Sequence, residues 1–311
     1  MVLADIIPQL YLKDTTINLF FILAKKGGKM LKTCASIQSF CCYTKVGLAV
    51  AFPVLEAMGI ECAPVPSCLL STEVHGYGDF YITSSTDLMK ATFDHWDREN
   101  LKWDSIYSGF LGDVKQVDLI TDFVKKHSES FVVIDPVLGD NGKTYGPLQD
   151  AQIPGMKRLV SVADVITPNQ TEAAFLLDLP QQESYTVAEA YSMAKALLAL
   201  GPKTVFITSI NLSDADSSKC HIVYADKNEC SLVSHNKYDK LYYGTGDLYA
   251  SVLLGSLLHN VPIKEAATIA GETVYLALKK TDEAGYTNIG HGVQSVTVLP
   301  YLSDKFKKYF N

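Results

Sequence analysis

Gly244-Thr245-Gly246-Asp247, running on into Leu248-Tyr249-Ala250-Ser251-Val252-Leu253-Leu254, is the stretch on which the reading of this chain turns. Two glycines flank a tight turn at the head of an apolar helical run. Glycine reaches backbone angles closed to other residues, so successive N–H groups can converge there on an anion, helped by the positive end of the helix dipole. Asp247 falls in the first turn, where a carboxylate serves either as an N-terminal cap or as a reactive group. The four residues alone leave both readings open.

Four more segments sit at the ends of β-rich runs, where open α/β sheets collect their ligands. Asp135-Pro136-Val137-Leu138-Gly139-Asp140 follows the apolar run 131–134 and sends two carboxylates out of one strand end, or is a turn fixed by its proline. Ile166-Thr167-Pro168-Asn169-Gln170-Thr171-Glu172 ends another strand and starts a helix with a hydroxyl, an amide and a carboxylate. From Asn169 to Glu172 the same residues spell a capping box. Ile207-Thr208-Ser209 closes a third strand with two hydroxyls, and Ser36-Ile37-Gln38-Ser39 closes the first.

Around these landmarks, from Lys32 onward, short β-rich runs alternate with apolar spacings of three and four. That alternation predicts an α/β fold: a mostly parallel central sheet covered by helices on both faces. Strands are expected at 33–37, 61–65, 105–107, 131–135, 164–167 and 204–208, with a hairpin of 221–224 and 230–234 turning near Asp226-Lys227-Asn228. Helices are expected at 46–58, 86–97, 114–126, 170–177, 187–199, 247–259 and 263–280. Without an internal repeat, a low-complexity tract or a Pro- or Ser-rich linker, residues 30–311 read as one domain. No Gly-x-Gly-x-x-Gly follows the first strand, which removes a dinucleotide-dependent dehydrogenase.

Composition narrows the function classes. A chain of 311 residues with 48% hydrophobic content supports a sizeable core and excludes disorder as the main state. Acidic residues outnumber basic ones 34 to 27, so a net charge of −7 offers no broad basic surface and no nucleic-acid partner is expected. Seven cysteines, an odd number with no CxxC spacing, predict free thiols in a reducing cytoplasm. The adjacent Cys41 and Cys42 point in different directions and read as small buried hydrophobes rather than metal ligands. The apolar run 15–24 is shorter than the roughly 20 residues of a spanning helix and follows Asp5 and Asp14 rather than a basic segment, so neither a membrane anchor nor a signal peptide is expected. Lys25-Lys26-Gly27-Gly28-Lys29 before Met30 resembles a translated ribosome-binding sequence. Residues 1–29 are therefore expected to be a leader or disordered extension, with Met30 as the true start.

Taken in order, Ser36-Ile37-Gln38-Ser39, Gly76-Tyr77, Ser108-Gly109, the Asp135–Asp140 motif, Thr167-Pro168-Asn169 with Glu172, Thr208-Ser209 and Gly244-Thr245-Gly246-Asp247 resemble the pyridoxal (pyridoxine, pyridoxamine) kinase family of the ribokinase superfamily. The resemblance spans about Lys32 to Lys280. It implies a ribokinase-like fold, use of ATP and Mg²⁺, and phosphorylation of the 5′-hydroxymethyl group of a pyridine substrate. By the same resemblance Asp247 is the base for that hydroxyl, and the N–H groups of Gly244, Thr245 and Gly246 hold the phosphate. Asn169 and Thr245 serve the nucleotide, Glu172 reaches Mg²⁺ through water, and Asp135 stands near metal and phosphates. Asp140 and Tyr145 surround the triphosphate. Thr208 and Ser209 belong to the nucleotide site, with Thr208 a position for a monovalent cation, K⁺ or Na⁺. Such chemistry asks the protein for positioning, charge neutralisation and a base.

On the substrate side the resemblance makes Ser39 the hydrogen-bonding partner of the pyridine ring, Val46 an apolar wall, and Phe110 the aromatic face where the family often carries tyrosine. Each also suits a cap or plain core. His75 stands roughly where a substrate-facing threonine is expected, and Leu48 replaces an asparagine. Asn288-Ile289-Gly290-His291-Gly292-Val293 is similar to the tail of hydroxymethylpyrimidine kinases, which makes that activity the alternative; a non-catalytic binder of pyridoxal phosphate or nucleotide is the reading from another class. A homodimer is implied by the resemblance alone.

Overall fold

The computed structural model describes residues 31–74 and 76–310. The proposed extension 1–29, Met30 and His75 lie outside the described residues. Strands β1 (Lys32–Cys41), β2 (Ile60–Leu70), β3 (Ile82–Ser84), β4 (Ser105–Ser108) and β5 (Phe131–Ile134) are separated by helices α1 (Leu48–Ala57), α2 (Thr86–Arg98) and α3 (Lys115–Lys126). A two-strand hairpin, β6 (Gly139–Asp140) and β7 (Lys143–Thr144), precedes α4 (Pro147–Val160), β8 (Val165–Ile166), α5 (Gln170–Leu176) and α6 (Val187–Leu198). Then come β9 (Thr204–Ile210), β10 (Lys219–Asp226), β11 (Cys230–Asn236), α7 (Thr245–Leu258), α8 (Ile263–Glu283) and α9 (Leu299–Phe306).

Nine strands form one sheet in the order β11-β10-β9-β8-β5-β4-β1-β2-β3. The six inner strands from β9 to β2 run parallel, and the antiparallel β3, β10 and β11 close the two edges. Successive side chains of a strand point to opposite faces, and the apolar residues divide accordingly. Cys34, Tyr107, Val133 and Phe206 pack with α1, α7, α8 and α9 in one core. Their neighbours Ala35, Ile106, Val132 and Val205 pack with α2 to α6 in the other. The expected doubly covered sheet is the one observed, and every expected strand and helix has an observed counterpart.

The departures have local causes. The expected strand 164–167 shortens to Val165–Ile166 because Pro168 follows and Asn169 already caps α5. Helix α4 escapes a pattern search because it carries Pro147, Pro154 and Gly155. Pro147 sits at its first position, where a missing N–H costs nothing. Gly155 faces Val117 so closely that an added Cβ would lie 3.1 Å from Val117 Cγ1, and this lets α4 pack against α3. Among α7 residues, Leu248 to Ser256 are all buried, so the helix has no polar stripe and threads the core from the strand ends inward.

Candidate active site

The site grows from the carboxyl ends of β1, β4, β5, β8 and β9, faced by the first turn of α7. Gly244 is left-handed, with φ 82°, and an added Cβ would fall 2.4 Å from the Lys45 carbonyl oxygen. Only glycine fits there. Gly246 lies against the Asp135 carboxylate, its Cβ position 3.9 Å from Asp135 Oδ2. Asp247 is not a cap for its own helix: its Oδ2 accepts a hydrogen bond from the Gly47 N–H at 2.8 Å, across two hundred residues of chain. Gly47 in turn has φ 56°, and a Cβ on it would meet the Ser39 carbonyl oxygen at 2.3 Å. Ser39, Gly47 and Asp247 are thus brought together by a backbone approach that no side chain would permit.

A cavity of about 110 Å³ opens beside this triplet. Ser39, Val46, Phe110, Tyr145, Gly244 and Asp247, all expected site residues, line it. Cys41, Gly47, Leu70, Glu73, Val74, Val137 and Tyr243 complete the wall and were not anticipated. Two of these carried a signal: Tyr243 directly precedes Gly244, and Val137 lies inside the Asp135–Asp140 motif. Val137 has φ 23°, an unfavourable angle for a β-branched residue and one that recurs at functional sites. Glu73 sits in a loop whose pattern marks nothing. The apolar side of the cavity is one small cluster in which Val46, Val74 and Phe110 pack on Cys41, Cys68 and Leu70. Of the paired cysteines, Cys41 is buried there as expected, whereas Cys42 is exposed, because adjacent residues of an extended segment face opposite ways.

Behind the cavity stand the remaining carboxylates. Glu172 is buried, and both its oxygens accept backbone hydrogen bonds: Oε2 from Asn169 N at 2.9 Å, Oε1 from Leu138 N at 2.9 Å and more distantly from Gly139 N. Asn169 Oδ1 accepts from Glu172 N at 2.9 Å and its Nδ2 donates to the Gly139 carbonyl at 2.8 Å. The capping box is therefore real, and it also clamps the Asp135–Asp140 loop onto α5. Burial raises Glu172 to about 7 against the lowering effect of those donors. Asp135 is pushed well above the usual carboxylate range by burial and then by the charges of Glu172 and Asp247, and burial likewise raises Asp247. The Thr167 hydroxyl, buried beside Asp135, works against that rise by hydrogen-bonding its carboxylate.

The other expected nucleotide residues flank this centre without lining the cavity. Thr208 donates its N–H to the Pro168 carbonyl at 2.9 Å and forms a β-bridge with Asn169. Ser209 is exposed and left-handed, with φ 50°. Asp140 is exposed on the β6–β7 hairpin, where it accepts from the Asn141 N–H. Half-buried Thr245 and exposed Gly246 form the lip of the turn. A larger depression between 179 and 196 holds none of these residues. Among the described residues no group of three or more His, Cys, Asp or Glu is arranged to hold a metal by itself.

A family model described as phosphomethylpyrimidine kinase matches residues 52–296. A pyridoxal kinase of Rubrobacter xylanophilus is 30% identical over 262 residues, which is 82% of this chain and 89% of that protein. The chain belongs to the phosphomethylpyrimidine kinase family, and within it to the pyridoxal kinases. Human pyridoxal kinase is 28% identical over 281 residues, 83% of this chain and 88% of its own. A crystal structure of a phosphomethylpyrimidine kinase from Bacteroides thetaiotaomicron, in a form with pyridoxal, has a TM-score of 0.82 at 31% identity, covering 88% of this chain and 96% of that one. Pyridoxal kinase from Lactobacillus plantarum has a TM-score of 0.82 at 27% identity and covers 90% and 100%. The fold read from the alternation of strands and helices is that of these pyridoxal kinases.

Proposed function

We propose that the chain transfers the terminal phosphoryl group of ATP to the 5′-hydroxymethyl oxygen of pyridoxal, pyridoxine or pyridoxamine. The observation that carries this reading is the Asp247 carboxylate. It is held by the Gly47 N–H in a cavity that also contains Ser39 and Phe110, at the mouth of a glycine-built helix N-terminus. The Phe110 ring and the Val46 wall suit a flat heteroaromatic ring, and the Ser39 hydroxyl suits its polar edge. As the hydroxyl oxygen bonds to phosphorus, Asp247 takes its proton and the bond to ADP breaks. Burial raises the basicity of Asp247, and the Gly47 hydrogen bond fixes one oxygen so that the other faces the cavity. The N–H groups at Gly244 to Asp247 meet the charge that develops on the transferring phosphate.

Asn169, Thr208, Ser209, Asp140, Tyr145 and Thr245 surround the space left for the nucleotide. Mg²⁺ fits the donor set behind the cavity. Burial and then the charge of Glu172 raise Asp135, and burial raises Glu172, so a hard dication would relieve the cost of ionising both carboxylates. Asp135 would hold it directly and Glu172 through water, since backbone donors already occupy both Glu172 oxygens. Bound there, Mg²⁺ neutralises phosphate charge. Thr208 is the residue at which a monovalent cation would be sought.

The same reading extends to a cytoplasmic homodimer. All seven cysteines are free thiols, and among the described residues no helix is long and apolar enough to cross a membrane. Phe40 and Leu69, register partners on β1 and β2, are both exposed beside the three-residue edge strand β3, which supports a second copy docking on that edge. The test is ADP release from Mg-ATP with pyridoxal, pyridoxine, pyridoxamine, hydroxymethylpyrimidine and ribose. Fastest turnover of a pyridine vitamer is expected. Fastest turnover of hydroxymethylpyrimidine would transfer the chain to the alternative named by its tail, and binding without any turnover would leave a non-catalytic binder.

A further inference from the structure

The tail 288–293, set apart in the sequence because it looks like another kinase's, has no place in the chemistry above. The structure gives it one. Its backbone joins the two segments that build the active centre. Lys45 N donates to the His291 carbonyl at 3.0 Å, and Lys45 bridges to Gly292 as a parallel strand pair. On the other side Tyr243 N donates to the Ile289 carbonyl at 3.3 Å, while Val293 N donates to the Tyr243 carbonyl at 2.8 Å. Lys45 is two residues before Gly47, whose N–H holds Asp247. Tyr243 is the residue before Gly244.

The Lys45 carbonyl oxygen is wedged between two glycines. An added Cβ would come within 2.4 Å of it from Gly244 and within 2.4 Å from Gly292. The tail is itself anchored: buried Gln294 donates its Nε2 to the Gly292 carbonyl at 3.0 Å and its N–H to Thr281 Oγ1 on α8 at 2.9 Å. Asn288 Nδ2 donates to the Gly76 carbonyl at 3.1 Å, and the Tyr77 hydroxyl lies 3.0 Å from His291 Nδ1, which adds the loop of Gly76-Tyr77 to the same brace.

We propose that the tail 288–293 is a positioning element for phosphoryl transfer, setting through Lys45 the distance between the substrate loop 39–47 and the Gly244–Asp247 turn. Gly292 is its central positioning residue. None of these residues touches the reacting atoms; they fix where Ser39, Gly47 and Asp247 stand. Misplacement of such groups by about 1 Å costs on the order of a hundredfold in rate. The inference rests on the proposed vitamer kinase activity.

Two glycine-to-alanine substitutions at positive φ test it. Gly285, just before the tail, and Gly292 within it have φ values of 83° and 84°, but a Cβ on Gly285 meets nothing within 4 Å, whereas one on Gly292, whose ψ of 164° is itself close to glycine-only, meets Lys45. Full-length Gly285→Ala and Gly292→Ala are compared with wild type for melting temperature, kcat, and KM for pyridoxal and for ATP. The expected result is a larger loss of melting temperature in Gly292→Ala, with both variants folded at the assay temperature. Only Gly292→Ala is then expected to lower kcat, by about tenfold or more, or to raise the pyridoxal KM, with the ATP KM within about twofold. Equal kinetics in the two folded variants would overturn the proposal. Should Gly292→Ala not fold, the exposed Asn288→Ala is read instead: a raised pyridoxal KM at unchanged ATP KM upholds the brace, and unchanged values for both overturn it. Absence of vitamer turnover in the wild-type arm would count against the kinase reading and not against the brace.

Discussion

A carboxylate serves a hydroxyl as base only while ionised, and the position of Asp247 sets where that condition fails. Burial lifts its pKa above that of a free aspartate. As pH falls through that raised value, the acid limb of kcat is expected above the pKa of a free aspartate, and a steady-state pH profile at saturating pyridoxal and ATP locates it. Glu172 makes a second pH statement, of stability. Its folded pKa of about 7 exceeds the ordinary value of 4.5, so between these values the native state binds more protons than the unfolded one. Its contribution is intact below about pH 4.5 and is lost as pH rises through 7, worth about 3 kcal/mol at most. Urea unfolding in EDTA at pH 5 and pH 8 is expected to show this decline, and Glu172→Gln to flatten it. An equal decline in the variant would remove Glu172 as its source. The residues of the site were legible where a motif ends a strand. Gly47, Glu73 and the Gly47–Asp247 bond were not, because they exist only once distant segments meet.

At the level of elements, two identical devices do different work. Asn169 with Glu172 and Thr186 with Glu189 are both complete capping boxes. The first sits at the carboxyl edge of the sheet and ties α5 to the Asp135 loop, while the second only starts α6. Thr186→Ala is expected to cost about 1 kcal/mol of stability by chemical denaturation with kcat unchanged. A fall in kcat would mean that α6 is coupled to the site. The elements read most easily from sequence were the parallel strands, whose alternating residues feed two cores, and the helices with intact apolar spacing. Helix α4 was hidden by Pro154 and Gly155, and the β6–β7 hairpin by its two-residue strands, which carry no period to detect. Short elements such as these are held by the tertiary contacts around them.

For the whole molecule, the parallel order of the strands brings five loop-borne segments to one edge, and the antiparallel margins leave the β1–β2–β3 end open. The exposed Phe40 and Leu69 at that end belong to the proposed dimer face. Leu69→Lys is expected to convert a dimer to a monomer in sedimentation velocity, and an unchanged sedimentation coefficient would remove this face from the assembly. Asp247 is assigned here as the base of an ATP-dependent pyridoxal kinase. The most direct measurement of that role is kcat of Asp247→Asn with pyridoxal and Mg-ATP, alongside equilibrium binding of both substrates. A loss of about a hundredfold to ten-thousandfold in kcat, with both substrates still bound, is the predicted result. Turnover within a few-fold of wild type would contradict it.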